Sequence, residues 1–232
     1  LFPKEYPYTS STTKVLRENF EELYKECRKI ISISSKDLII DVGSNDGNLL
    51  NNFKKHHKVL GITPEKIGKI AIKKGINTLI KYFNKDTANL VLKKFGRAKI
   101  VTATNVFAHM STLGDVMKGI IKLLSKDGYF CFENHYSLEI LKNVQYDTFY
   151  HEHLRTYSLK SLIRLMKQYG FYVYTAKTSE RYGGNIQVHF TLKKVKPDSN
   201  VSKILKIEED FGLGNPKTYF RFNSNLEKIK IQ

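Results

Sequence analysis

Between Asp37 and Asn134 short apolar runs alternate with stretches of helical spacing, and this alternation constrains the chain more than any other feature. DLIIDVG leads to a helix from about Asp46, KVLGIT to a helix from Pro64, NTLI to a helix near Thr87, AKIVTATN to a helix near Leu113, and GYFCFEN closes the series. Five strands separated by helices require right-handed crossovers, so the expected fold class is α/β with a mostly parallel, doubly wound sheet.

The flanks extend this plan. In STTKVLRENFEELYKECRKIIS the apolar positions Leu16, Phe20, Leu23, Cys27 and Ile30 or Ile31 fall at helical spacing, with Ser10 or Ser11 placed to cap a leading amphipathic helix. After the fifth strand SLKSLIRLMKQYG reads as a helix, and FYVYTAKT and NIQVHFTLKKV, joined by SERYGG, read as an antiparallel hairpin. The expected division is one domain over residues 1–195 and a polar helical tail over 196–232, the latter being the beginning of a further, truncated domain.

Composition excludes several classes. A chain of 232 residues with 41 % hydrophobic content can bury a sizeable core. No apolar run is long enough to span a bilayer, and LFPKEYPYTS lacks the basic and apolar regions of a signal peptide, so a cytoplasmic location and no membrane partner are expected. The chain starts at Leu1 rather than Met and reads as a piece excised from a longer polypeptide. Cys27 and Cys131, far apart, form neither a disulfide framework nor a metal knuckle, and are expected in the core. The net charge is +17, but only seven of the 39 basic residues are Arg and the Lys are spread along the chain. Nucleic-acid surfaces favour Arg forks interleaved with aromatics, so the charge reads as compositional bias and no nucleic acid is expected as partner.

Two regions carry chemistry. IIDVGSNDGNLL sets Gly43 and Gly47 between the first strand and its helix; its spacing is GxxxG, not the GxGxxG of dinucleotide binders. The second strand should end in an acid that binds ribose hydroxyls, yet LGITPEK places Thr63 at that cofactor-binding position, so either cofactor affinity is lowered or Glu65 substitutes. Tyr82 and Phe83 of LIKYFNKD offer either an adenine-stacking wall or core packing. After the fourth strand come Asn105 and His109, and after the fifth Glu133, Asn134 and Tyr136, all at the ligand-binding end of an open sheet.

The second region is DTFYHEHLRTYS, residues 147–158. Three readings are open. HEH on a strand would point both imidazoles to one face and chelate zinc, with His135, His109 or Glu133 as third ligand. An acid–base site needs only one His, one carboxylate to fix its tautomer and one Tyr to donate to an oxyanion. A polar turn needs nothing more. The absence of HExxH spacing and of a Cys partner sets the metal reading last, and no metal is expected.

YPYTSS at 6–11, IDVGSNDGNLL at 40–50, ATNVFAHM at 103–110, FENHYSLEIL at 132–141, YDTFYHEHLRTYSLKSL at 146–162 and GGNIQV at 183–188 resemble, in order and spacing, the SAM-dependent sugar C-methyltransferases. The resemblance implies a Rossmann-like class I methyltransferase fold, a seven-stranded mostly parallel sheet ending in an antiparallel hairpin. It implies S-adenosyl-L-methionine as cofactor and a small-molecule substrate, a nucleotide-linked keto-deoxysugar, methylated at carbon through an enolate. It implies His153 as general base, Glu152 as its partner or a substrate-orienting carboxylate, and Tyr150, His109 and Tyr8 as sugar contacts, with Tyr6 close enough to share the last role. On the cofactor side it implies Asp41, Gly43, Asn45, Asp46 and Gly47 at the first loop, and Asn105 beside the methionine moiety. The family's N-terminal zinc-binding domain and most of its C-terminal domain have no counterpart in these residues. The competing expectations are a SAM-dependent O- or N-methyltransferase acting on another small molecule or cell-surface carbohydrate and, from a different class, a nucleic-acid-binding protein.

Overall fold

In the computed structural model, which describes residues 9–230, the chain leads with α1 (Lys14–Ile30). Leu16, Phe20, Leu23 and Cys27 are buried along one stripe, and Ile31 rather than Ile30 continues it. Neither Ser10 nor Ser11 caps the helix. Thr13 holds the N-cap position without a side-chain bond, and the Ser10 hydroxyl is spent on Asp46.

The expected alternation follows: β1 (Leu38–Val42), α2 (Asn48–Phe53), β2 (Lys58–Thr63), α3 (Gly68–Lys73), β3 (Thr78–Ile80), α4 (Lys85–Phe95), β4 (Ala98–Thr104), α5 (Leu113–Leu123) and β5 (Leu124–His135). Helices α2 and α3 begin later than the sequence suggests, because Gly47 still stands in the left-handed region and residues 64–67 are turn. After β5 comes a short helix the sequence reading lacked, α6 (Ser137–Lys142), then α7 (Leu159–Gln168), β6 (Tyr172–Ser179), β7 (Asn185–Thr191), α8 (Ser199–Phe211) and α9 (Pro216–Lys230).

β1 pairs in parallel with β2 and β4, β2 with β3, and β6 and β7 are antiparallel. The seven strands lie in the order β3-β2-β1-β4-β5-β7-β6. The chain therefore forms a mostly parallel doubly wound sheet that ends in an antiparallel hairpin, as expected. Strand order reverses between β1 and β4, and in such sheets the crevice at the carboxyl ends of those strands receives ligands.

The chain divides into two units. The first comprises the chain up to Val106 with Thr112–Cys131, and the second Phe107–Ser111 with Phe132 onward. In the first, Ile39, Ile40, Leu49, Leu50, Leu60 and Val101 are buried, each such side chain contributing roughly 1.5–3 kcal/mol. Cys27 and Cys131 lie in this core as free thiols, their Sγ atoms 3.8 Å apart. In the second, Phe132, Leu159, Leu162, Ile186 and Phe190 are buried. There the buried Glu208 of α8 accepts from the Tyr136 hydroxyl and from the backbone N–H groups of Leu159 and Lys160. Those two N–H groups open α7, where a helix has no internal acceptors and favours a negative charge.

Candidate active site

The loop after β1 is built from left-handed residues. Gly43, Asn45 and Gly47 all have positive φ. A Cβ on Gly43 would lie 2.2 Å from Val106 Cγ1, so only glycine lets the loop close over the residue that follows Asn105. Asn45 accepts from the backbone N–H groups of Ser10 and Asp46 at 3.0 and 2.9 Å. Asp46 is fully buried, its carboxylate shared between Ser10 Oγ at 2.5 Å and Lys74 Nζ at 2.9 Å. Burial alone would raise its pKa, but the bonds from Ser10, Ser11 and Lys74 outweigh it and hold the group below the usual range. Its carboxylate thus ties the loop to Ser10 and Lys74.

Asp41, 2 % exposed, is the last residue but one of β1 and accepts from Thr102 Oγ1 of β4 at 2.7 Å. Burial dominates that bond and pushes its carboxyl up to about 7. Thr63 ends β2, and its hydroxyl donates to Glu65 Oε2 at 2.6 Å. A carboxylate thus lies two residues beyond the strand end, and the Thr63 hydroxyl orients it. Tyr82 and Phe83 do not form one wall: Tyr82 is 61 % exposed, whereas the Phe83 ring packs against Gly119 of α5. Asn105 follows β4 with φ of +53°, half-buried.

In the second unit three imidazoles gather. The His153 ring lies 4.8 Å from that of His109, 5.3 Å from that of His135 and 4.4 Å from the Tyr150 ring, centroid to centroid. His153 Nδ1 faces the Thr148 carbonyl at 2.9 Å, so Nδ1 carries the proton and Nε2 the lone pair. Nε2 is 3.4 Å from the Tyr150 hydroxyl. His109 Nδ1 likewise donates to a carbonyl, that of Glu152, at 2.9 Å. Burial first, then the neighbouring imidazoles, depress His135 to about 4; burial and His153 lower His109 as well. Both are therefore poor carriers of positive charge.

Residues 151 and 152 form a turn, and the His151 side chain is 80 % exposed. The partner expected for His153 needs correction. The carboxylate of Glu152 does not orient His153; the Thr148 carbonyl does, and the Glu152 carboxylate lies 3.9 Å from His151 Nε2. Tyr136 is 2 % exposed, and its hydroxyl donates to Glu208. Tyr8, with Tyr6, lies outside the described residues. The sequence reading also gave His135 only a metal role, although it faces His153.

GGNIQV acquires a physical role. Glu133, buried near the end of β5, accepts from Asn185 Nδ2 at 3.1 Å and Gln187 Nε2 at 2.8 Å, both on β7. A Cβ on Gly184, at φ +114°, would sit 2.4 Å from Glu139 Cβ of α6, and the Gly184 carbonyl accepts from the Tyr136 N–H at 3.0 Å. The glycine thus allows β7 to begin against α6 and brings both amides to Glu133. The adjacent Asn134 is 1 % exposed, and its Nδ2 has no partner among the described residues.

Comparison with known proteins agrees with this architecture. Residues 14–176 match the methyltransferase domain family. The C-methyltransferase NovU of Streptomyces niveus is 30 % identical over 233 residues, covering 98 % of this chain and 55 % of NovU, so the chain spans about half the length of that curated relative. Among solved structures, a SAM-dependent methyltransferase of Anabaena variabilis superposes with a TM-score of 0.61 at 12 % identity, over 78 % of this chain and 86 % of the other. Magnesium protoporphyrin IX methyltransferase (ChlM) of Synechocystis, solved with bound SAH, gives 0.58 at 13 % identity, over 77 % and 84 %. At these identities the two structures attest the fold alone. The family match extends over more than half of the residues, from α1 into β6, and by it the chain belongs to the methyltransferase domain family.

Proposed function

We propose that the chain is a SAM-dependent C-methyltransferase that acts on a nucleotide-linked keto-deoxysugar, with His153 as general base. The observation that carries the reading is the orientation of His153. Its Nδ1–H is anchored on the Thr148 carbonyl, which leaves the Nε2 lone pair beside the Tyr150 hydroxyl. A C–H next to a ketone is acidified by the carbonyl. Nε2 takes that proton, and a tyrosine hydroxyl within reach donates to the oxygen on which negative charge develops. At 3.4 Å the contact between the two groups is long, as catalytic hydrogen bonds commonly are before a ligand tightens them. His109 and His135, held neutral, keep a second positive charge out of the site.

The residues present fit SAM. The left-handed loop at Gly43, Asn45 and Gly47 lets backbone approach a ligand closely, and Glu65 supplies the carboxylate for ribose hydroxyls that Thr63 cannot. When bound, SAM supplies an electrophilic methyl group for the enolate. Glu152 orients the sugar in this scheme, and Asn105 borders the cofactor. The 30 % identity to NovU, itself a C-methyltransferase, supports carbon as the acceptor atom.

Solvent exchange tests the reading. Incubated in deuterium oxide without SAM, a nucleotide-linked keto-deoxysugar should gain deuterium at the carbon next to the ketone, and His153→Ala should abolish the gain. Methyl transfer to oxygen or nitrogen needs no such exchange, so product formation without it would replace carbon by a heteroatom as acceptor.

A further inference from the structure

Beside the loop that carries His153, the second unit contains a cavity of about 340 Å³, a size typical of small-molecule sites. Three aromatic rings line it: Phe149 from the loop, and Tyr219 and Phe222 from α9. Phe149 and Phe222 meet edge to face, centroids 5.9 Å apart and planes at 74°. The Tyr219 hydroxyl donates to the Leu213 carbonyl at 3.0 Å, which fixes the ring by its rim. Phe149 and Tyr219 are nonetheless 51 % and 47 % exposed, so aromatic surface that could be covered is left open.

The polar lining has its own character. Ser137, Thr156 and Asn223 border the cavity, and among the described residues none of their side chains hydrogen-bonds to protein. Among the described residues, no carboxylate or ammonium group lines it. Aromatic faces with neutral donors and acceptors around them suit a flat, uncharged heteroaromatic ring, held by stacking and read at its edge. They offer a phosphate no cationic partner.

We infer that this cavity holds the nucleobase of the acceptor, an assignment that rests on the nucleotide-sugar reading above. Phe149 is joined directly to Tyr150, so one short loop grips the base with one residue and meets the reacting sugar with the next.

The test uses the 232-residue chain with uridine 5′-diphosphate and thymidine 5′-diphosphate as probes, and inorganic pyrophosphate as control. Saturation-transfer NMR should label the base protons of at least one nucleotide more strongly than its ribose protons. Tyr219→Ala, at an exposed position, should weaken that nucleotide by about 5- to 100-fold, the value of one base stacked on an aromatic ring. Asn223→Ala should weaken it less, and both variants should keep the wild-type Tm and SAM affinity. The inference is overturned if neither nucleotide binds more tightly than pyrophosphate, or if both variants bind nucleotide as the wild type does. A chain that binds nucleotide but exchanges no deuterium loses the carbon mechanism and keeps this subsite; one that exchanges deuterium but binds no nucleotide loses the subsite alone.

Discussion

Gln187 Nε2 donates to Glu133 at 2.8 Å across 54 positions of sequence, and with Asn185 it bonds a carboxyl group that is 2 % exposed. A buried polar group is costly wherever its hydrogen-bond partners are removed. Gln187→Leu conserves volume and removes one donor. It should lower stability by about 1–3 kcal/mol, read as a lower urea midpoint at unchanged slope; a midpoint equal to wild type would show that the amide is dispensable.

His153→Ala should reduce methyl transfer by about 100-fold or more while calorimetry finds SAM affinity unchanged. Tyr150→Phe keeps the ring against the imidazole and loses only the hydroxyl, so its loss should be smaller and lie in kcat rather than in cofactor binding. Turnover at the wild-type level in His153→Ala would remove this residue from the mechanism.

Glu65 supplies the carboxylate that Thr63 orients at 2.6 Å. Glu65→Gln should weaken SAM by about 10- to 100-fold, the worth of hydrogen bonds to a charged acceptor. Thr63→Val should weaken it less, since it frees the carboxylate without deleting it. Unchanged titrations in both variants would place the ribose elsewhere.

Stability should also fall in acid. Burial, then His153 and His109, depress His135 to about 4, whereas an unfolded histidine protonates near 6.5. The unfolded state therefore binds the proton first. The stabilisation from a neutral His135 is complete above pH 6.5, is lost as pH falls towards 4, and changes no further below that. His135→Gln cannot be protonated, so its Tm should fall less than the wild type's between pH 7 and 4.5. Parallel curves would assign the acid sensitivity to other groups.

Much of this architecture is legible along the chain, because strands and crossover helices announce themselves by local period. The leading helix, the five strands up to GYFCFEN, and the SERYGG hairpin all stand where the pattern puts them. What the sequence hides is pairing over distance. Ser10 looks like a helix cap until Asp46 takes its hydroxyl. The six residues of α6 are too few to show a helical period, and nothing near Tyr136 advertises that Glu208, 72 positions on, will accept its hydroxyl. The orienter of His153 is a backbone carbonyl, and every residue has one, so no motif could have named Thr148.

The bonds from Ser10 and Lys74 to Asp46 have a consequence for how the glycine loop meets a ligand. A loop with three left-handed residues would ordinarily sample many shapes in the free protein and lose that freedom when it closes, at about 1–2 kcal/mol per residue ordered. Here the buried carboxylate ties it to Ser10 and Lys74, which restricts those shapes. Association at this loop should therefore carry little of the unfavourable entropy that accompanies an ordering segment, and Ser10→Ala should return that entropy to the binding event while every ligand contact stays in place.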